Sequence, residues 1–218
     1  MFSRFLKAAG LALTVACWAW ANDCERSRAW DLTLIWAAPL LNFPIAFLAR
    51  KSLDRRPDAA RADRVTTVAH YAAMIALGMA IFPAVRIVRH SPGWAIPVPR
   101  SIALALVWIT GAAMSLSVVN LAVRGLGLPF AAKLSSRLAS DWMYSRTRNP
   151  MVLATLAWLF SLGLLFQSVW FLVWVALILS PGWILFVRVY EQRELEVRFG
   201  ASYLAYKART PFLLPRLG

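Results

Sequence analysis

Residues 151–187 read MVLATLAWLFSLGLLFQSVWFLVWVALILSPGWILFV, 37 residues without a charged side chain and with a polar break at Gln167-Ser168. As a single helix this run would be about 55 Å long and would overshoot a hydrocarbon core of about 30 Å. Two spans, Met151–Phe166 and Val169–Val187, joined tightly at Gln167-Ser168, fit the length instead. Such a hairpin returns both of its ends to one side of a membrane. The segments before Met151 and after Val187 therefore meet at one face.

The rest of the chain has the same pattern. Further apolar spans are expected at Ala8–Ala21, Leu32–Ala49, Val65–Val85 and Ser101–Val123, about six in all, giving an all-α polytopic membrane protein. The 218 residues suggest one domain; 60% are hydrophobic and 16% charged, and the mean hydropathy is +0.59. That composition excludes disorder and argues against a water-soluble globule. The formal charge of +14, from 24 Lys+Arg against 10 Asp+Glu, would raise the question of nucleic acid. The basic residues fall between the apolar runs, however, which points to a membrane. With the spans in order, one side holds 19 of the Lys+Arg and the other 5. The positive-inside rule then puts both termini in the cytoplasm, in a membrane such as the bacterial inner (cell) membrane.

Arg4 and Lys7, a 14-residue apolar stretch and Ala19-Trp20-Ala21 also fit a cleaved secretory signal. A polytopic protein does not need one, so a retained first span is expected; cleavage would leave five spans in the same orientation. Cys17 and Cys24 would lie about 10 Å apart on a helix, too far for a disulfide, and read as structural thiols. No metal-ligand spacing is present, and His70 and His90 are far apart, so no metal is expected. His70, inside the third span, is a functional candidate by its type, with a neutral packing histidine as the plainer reading. The loop Arg50–Arg64 reads as a solvated, headgroup-facing loop, and Arg86–Arg100, with Pro92, Gly93, Pro97 and Pro99, as an irregular one on the other side. Pro39, Pro44, Pro83 and Pro181 can kink their spans, and Trp30, Trp94 and Trp142 lie near span ends.

The halves differ in kind. Up to about residue 123 few polar residues can converge; beyond it they concentrate in Lys133–Pro150 and Arg188–Pro215. The division drawn is residues 1–132 as membrane helices and loops, and 133–218 as the half that builds a site. The phosphate loop, nucleophile elbow, zinc helix and GxGxxG turn are all missing; Gly125-Leu-Gly127 does not fit the last. Tyr144-Ser-Arg146-Thr-Arg148-Asn149-Pro150 leads into the fifth span, with Pro150 suited to a first helical turn and Arg148 beside exposed helix amides, an arrangement that favours a carboxylate or phosphate. After the hairpin come Tyr190-Glu191-Gln192-Arg193-Glu194-Leu195-Glu196-Val197-Arg198-Phe199-Gly200, Tyr203, Tyr206 and Pro211. At helical spacing Glu191, Leu195, Phe199, Tyr203 and Tyr206 share one face, with Arg193, Glu196 and Lys207 turned to water: a cytoplasmic amphipathic helix. A carboxylate on the apolar face is costly unless paired.

Together these segments resemble the isoprenylcysteine carboxyl methyltransferase and phospholipid methyltransferase superfamily of integral membrane enzymes, over about residues 133–216. Its pattern is Arg-(His/Asn)-Pro, an apolar hairpin, then Glu-Glu-x-x-Leu-x-x-x-Phe-Gly-x-x-Tyr-x-x-Tyr and a late proline. The chain offers Arg148-Asn149-Pro150, Glu191, Leu195, Phe199-Gly200, Tyr203, Tyr206 and Pro215. It departs at Val152 (usually Tyr), Ala154 (usually Gly), Gln192 (the second Glu) and Trp142-Met143-Tyr144 (commonly Gly-Pro-Tyr). The resemblance implies S-adenosylmethionine as cofactor, with Arg148 and Glu191 as the principal site residues. Tyr144, Asn149, Pro150, Tyr203 and Tyr206 would complete the cofactor pocket. The methyl acceptor would be lipophilic or lipid-borne: a phospholipid amine, a prenylated carboxylate, or a small lipophilic thiol or acid. An NADPH-dependent sterol-type reductase and a non-catalytic membrane scaffold remain as alternatives.

Overall fold

A computed structural model describes residues 2–23, 27–91, 93–125, 127 and 135–215, and only the backbone of 2–4 and 23. Cys24, Arg26, Pro92, Lys133 and Arg216, which enter the sequence reading, lie outside the described residues. The helices are α1 (Phe2–Asp23), α2 (Arg28–Leu40), α3 (Asn42–Asp54), α4 (Ala59–His90), α5 (Arg100–Arg124), α6 (Met143–Arg146), α7 (Pro150–Leu165) and α8 (Val169–Arg209). Among the described residues there is no strand, only an isolated bridge between Ala95 and Ser168. Four helical runs are long and apolar enough to cross a membrane: Arg28–Asp54 (α2 with α3), α4, α5 and α8; α7 is apolar but shorter.

The distribution of side-chain size is that of a protein in lipid. Buried positions carry many small residues, among them Ala38, Ala46, Ala62, Ala69, Ala76, Ala80 and Ala84, while Leu13, Trp108, Ile109 and Leu177 are exposed. Lipid is as apolar as leucine, so helices gain by close approach and by interhelical hydrogen bonds, which contribute about 0.6 kcal/mol each. Such bonds are present: Trp18 Nε1 donates to Met74 O at 2.9 Å, joining α1 to α4, and Trp174 Nε1 donates to Ile35 O at 3.1 Å, joining α8 to α2. Gly10 and Gly78 leave room for Tyr71 and Trp18 in the α1–α4 contact. The Lys7–Asp63 pair at 3.0 Å closes one end of it.

The proline effects are local. Leu41 separates α2 from α3 just after Pro39, and Asn42 Nδ2 donates to Pro39 O at 3.2 Å. Gly182 of α8 approaches this break so closely that a Cβ there would lie 2.7 Å from Pro39 O. Pro83 stays inside α4 without ending it. Pro181 has no N–H for the helical ladder, and a π-helical turn, Val175–Leu179, precedes it. Ser180 Oγ donates to Val175 O at 2.6 Å and helps satisfy that turn.

The expected hairpin forms. Gln167, with φ 52°, reverses the chain between α7 and α8, and Ser168 caps α8 by accepting from the Phe171 N–H at 3.2 Å. The proline-containing loop closes over this tip: Ile96 N–H donates to Gln167 O at 3.2 Å, Val169 N–H to Trp94 O at 2.9 Å, and Gln167 Nε2 to Val98 O at 3.1 Å.

The far end of α8 departs from the expected single amphipathic face. The helix does not end near Val187; a second π-helical turn spans Val187–Glu191, and helix continues to Arg209. At Gly200 the backbone turns to φ 50°, ψ −128°, a conformation reserved for glycine, which rotates the last turns of the helix relative to those before it. The ideal helical repeat that carries Glu191, Leu195 and Phe199 is thereby broken before Tyr203 and Tyr206. Arg193, Glu196 and Lys207 do form a charged outer side, through Arg193–Asp54 at 2.7 Å and Lys207–Glu196 at 2.9 Å.

Candidate active site

At the base of the hairpin the chain is locked in an extended turn. Asn120 Oδ1 accepts from the Met143 N–H at 3.1 Å and holds α6, while Pro150 occupies the first turn of α7 behind Asn149. The Arg-Asn-Pro turn is crossed by the C-terminal strap: Arg148 N–H donates to Pro211 O at 2.9 Å, and Thr147 Oγ1 and Asn149 Nδ2 both donate to Phe212 O, at 3.3 and 2.7 Å. The Phe212 ring lies between two cations, 4.5 Å from the Arg188 guanidinium carbon and 5.7 Å from that of Arg148.

Arg148 itself is incompletely satisfied. Its Nη1 makes one long bond, 3.4 Å, to Tyr203 Oη, and its Nε is buried without a partner among the described residues. A buried guanidinium N–H left unpaired is costly, and an anionic ligand would relieve it. Arg148 lines a cavity of about 170 Å³ at the base of the hairpin.

The opposite wall comes from α8. The π-helical turn ending at Glu191 adds a residue to the helical register, a feature common at functional sites, and Glu191 lines the cavity. Among the described residues its carboxylate has no ion-pair partner. Glu191 lies beyond the apolar stretch that ends at Val187; burial pushes its carboxyl up to about 7, and the charge of Glu194 adds to the rise. Glu194 is buried, 2.7 Å from Arg198 Nη1, and Arg198 also donates to Ser135 O, holding residues 135–139 beside the cavity. The Thr66 hydroxyl stands 2.6 Å from Tyr190 Oη at the same wall. Burial raises the Tyr144 phenol above its ordinary range, with Glu191 and Tyr206 adding to the effect.

Of the residues singled out from sequence, Tyr144, Arg148, Asn149 and Glu191 line this cavity. Pro150, Tyr203 and Tyr206 are buried behind it: Tyr203 against Arg148, and Tyr206 donating to Tyr144 O at 2.6 Å. The sequence reading missed Glu194 and Arg198, although their i, i+4 spacing is the signal of an ion pair. A second carboxylate is therefore present at the site, from Glu194 rather than from position 192. The expectation that the N-terminal helices offer few convergent polar groups is corrected: Asn42, Thr66 and His70 also line the cavity. Nothing in their sequence spacing marks them, because only packing of α3 and α4 against α8 brings them there.

The donor set fits an amino-acid-like zwitterion, with a buried, incompletely satisfied guanidinium in Arg148 and, among the described residues, an unpaired carboxylate in Glu191. Among curated proteins and solved structures the chain has no significant match. The family model of the phospholipid methyltransferases matches residues 99–202, from the start of α5 through the Arg-Asn-Pro turn and the hairpin to the Glu191–Phe199 wall. That family is one of membrane methyltransferases, and its match is the resemblance that the two motif segments carry in the sequence.

Proposed function

We propose that the protein is an S-adenosylmethionine-dependent integral membrane methyltransferase acting on a lipophilic or lipid-borne acceptor at the cytoplasmic membrane face. The observation that carries this is the pairing, in one cavity, of an unsatisfied Arg148 Nε with an unpaired Glu191 carboxylate. When bound, S-adenosylmethionine supplies an activated methyl group. Arg148 binds the cofactor carboxylate, positioned by Tyr203 and the Phe212 ring. Glu191 binds the amine or hydroxyl groups. Asn149 and Thr147 hold the strap that limits water entry, and Tyr206 fixes the backbone at Tyr144. Residues 133–218 form the cofactor half, with α3 and α4 closing the far wall.

Six spans with both termini cytoplasmic complete the reading. Retention of the first span is supported by the packing of α1 on α4 and by Ala21, the last residue of the signal-like motif, which is fully buried. The test is to incubate membranes containing the protein with cofactor labelled on its methyl group. Label is expected in a lipid, protein or volatile fraction above membranes lacking the protein. Equal labelling in every fraction contradicts the reading.

A further inference from the structure

The cavity has a second region that cofactor binding leaves unexplained. Along α4 its lining residues run from Thr66, beside Tyr190 and the carboxylates, through His70 to Ala73, Met74 and Leu77. At 1.5 Å per residue Leu77 lies about 16 Å beyond Thr66, so the cavity extends from the charged end into an apolar wing. His70 stands one turn from Thr66, at the border between the two. Its ring meets the edges of Phe186 and Tyr190, at 5.4 and 6.4 Å between centroids.

His70 Nδ1 lies 3.0 Å from Thr66 O. A carbonyl oxygen only accepts, so Nδ1 carries the proton, and in the neutral ring Nε2 keeps its lone pair. Among the described residues Nε2 has no hydrogen-bond partner, and the ring that carries it lines the cavity. One nitrogen is thus fixed by backbone, and the other is left free in a ring that lines the cavity.

We propose that His70 is the catalytic base of the acceptor site, and that the acceptor is a lipophilic molecule with an X–H nucleophile (hydroxyl, thiol or neutral amine) rather than a carboxylate. This rests on the methyl-transfer reading above. The acceptor lone pair forms the new X–C bond, the S–C bond of the sulfonium donor breaks with its electron pair left on sulfur, and the X–H proton passes to His70 Nε2. A carboxylate acceptor releases no proton and asks for a cation. The α4 residues lining the wing beyond His70 supply none, and Arg137, which also lines the cavity, is solvent-exposed and outside α4.

The chain contains two histidines, and His90 is exposed at the end of α4, so His90→Gln leaves a single imidazole signal. In the ¹⁵N spectrum of this full-length protein in micelles, His70 is expected as the Nδ1–H tautomer. 1-Dodecanethiol or 4-nonylphenol should move its Nε2 resonance, and dodecanoate should not. An Nε2–H tautomer, or an equal response to dodecanoate, overturns the proposal. His70→Gln should bind S-adenosylmethionine within about twofold of wild type and lose at least about thirtyfold in methyl transfer to whichever probe the wild type methylates. Full retention of transfer, or loss of cofactor binding, also overturns it. A wild-type protein that binds no S-adenosylmethionine strikes the methyl-transfer reading instead, and the spectrum reports on His70 separately.

Discussion

The two ends of the α7–α8 hairpin are built from similar materials and finished differently. At the tip, the polar groups of Gln167 and Ser168 are taken up by backbone partners in the 94–98 loop and by the first turn of α8. At the base, a comparable polar turn leaves the Arg148 Nε bare and the Glu191 carboxylate unpaired. Inside a membrane protein, where each unsatisfied group is expensive, the tip is what a structural turn looks like. The base keeps its polar capacity for something that arrives.

The largest expected effect separates the ends directly. Arg148→Ala or Glu191→Ala should lower methyl transfer at least tenfold, since removing one partner of a buried charge contact costs on the order of 2–5 kcal/mol. The unfolding midpoint should stay near wild type. Substitution at the tip should leave transfer unchanged. Equal losses at both ends would erase the comparison.

Gly200→Ala comes next. An alanine at φ 50°, ψ −128° costs about 1–3 kcal/mol, so the midpoint of thermal unfolding should fall, and Tyr203 should lose its register with Arg148. A variant as stable as wild type would mean that the turn relaxes.

A pH series sharpens the role of Glu191. Its carboxyl is raised to about 7, so it is mainly protonated at pH 6 and mainly charged at pH 8. If it binds a cationic group of the cofactor, affinity rises with pH through this window. One unit below that value about nine-tenths of the carboxyl is protonated, so affinity at pH 6 should be about tenfold below its plateau. In Glu191→Gln the slope should vanish. A slope that persists there assigns the titration to another group.

The smallest effect belongs to the tip. Ser168→Ala removes the cap on α8 and should reduce stability by about 1 kcal/mol, read as a modest shift in unfolding, with cofactor affinity unchanged. A drop in affinity would show that the two ends are coupled.

Much of this contrast is legible in the residues. The 37-residue apolar run forces a hairpin by length alone, and the hairpin forces Arg148 and Glu191 to one side. The Arg-Asn-Pro turn and the Glu-to-Tyr stretch then carry the family resemblance. What sequence periodicity could not supply is phase. A π-helical turn at Val187–Glu191 shifts the register leading into Glu191, and the glycine turn at Gly200 breaks the 3.6-residue repeat between Phe199 and Tyr203. Thr66 is hidden for a different reason, and His70 is marked by its type alone. Each is a single polar residue in a long apolar helix, and only its packing partner turns it into a wall of the site. Glu194 was visible as a charge but reads as surface until its burial against Arg198 is known.

The central claim is that a zwitterionic cofactor sits between Arg148 and Glu191, and calorimetric titration of S-adenosylmethionine into purified wild-type, Arg148→Ala and Glu191→Ala proteins tests it most directly. The expected result is saturable binding to wild type, weakened at least tenfold in each variant while both remain folded. No binding to wild type, or unchanged affinity in both variants, contradicts the claim.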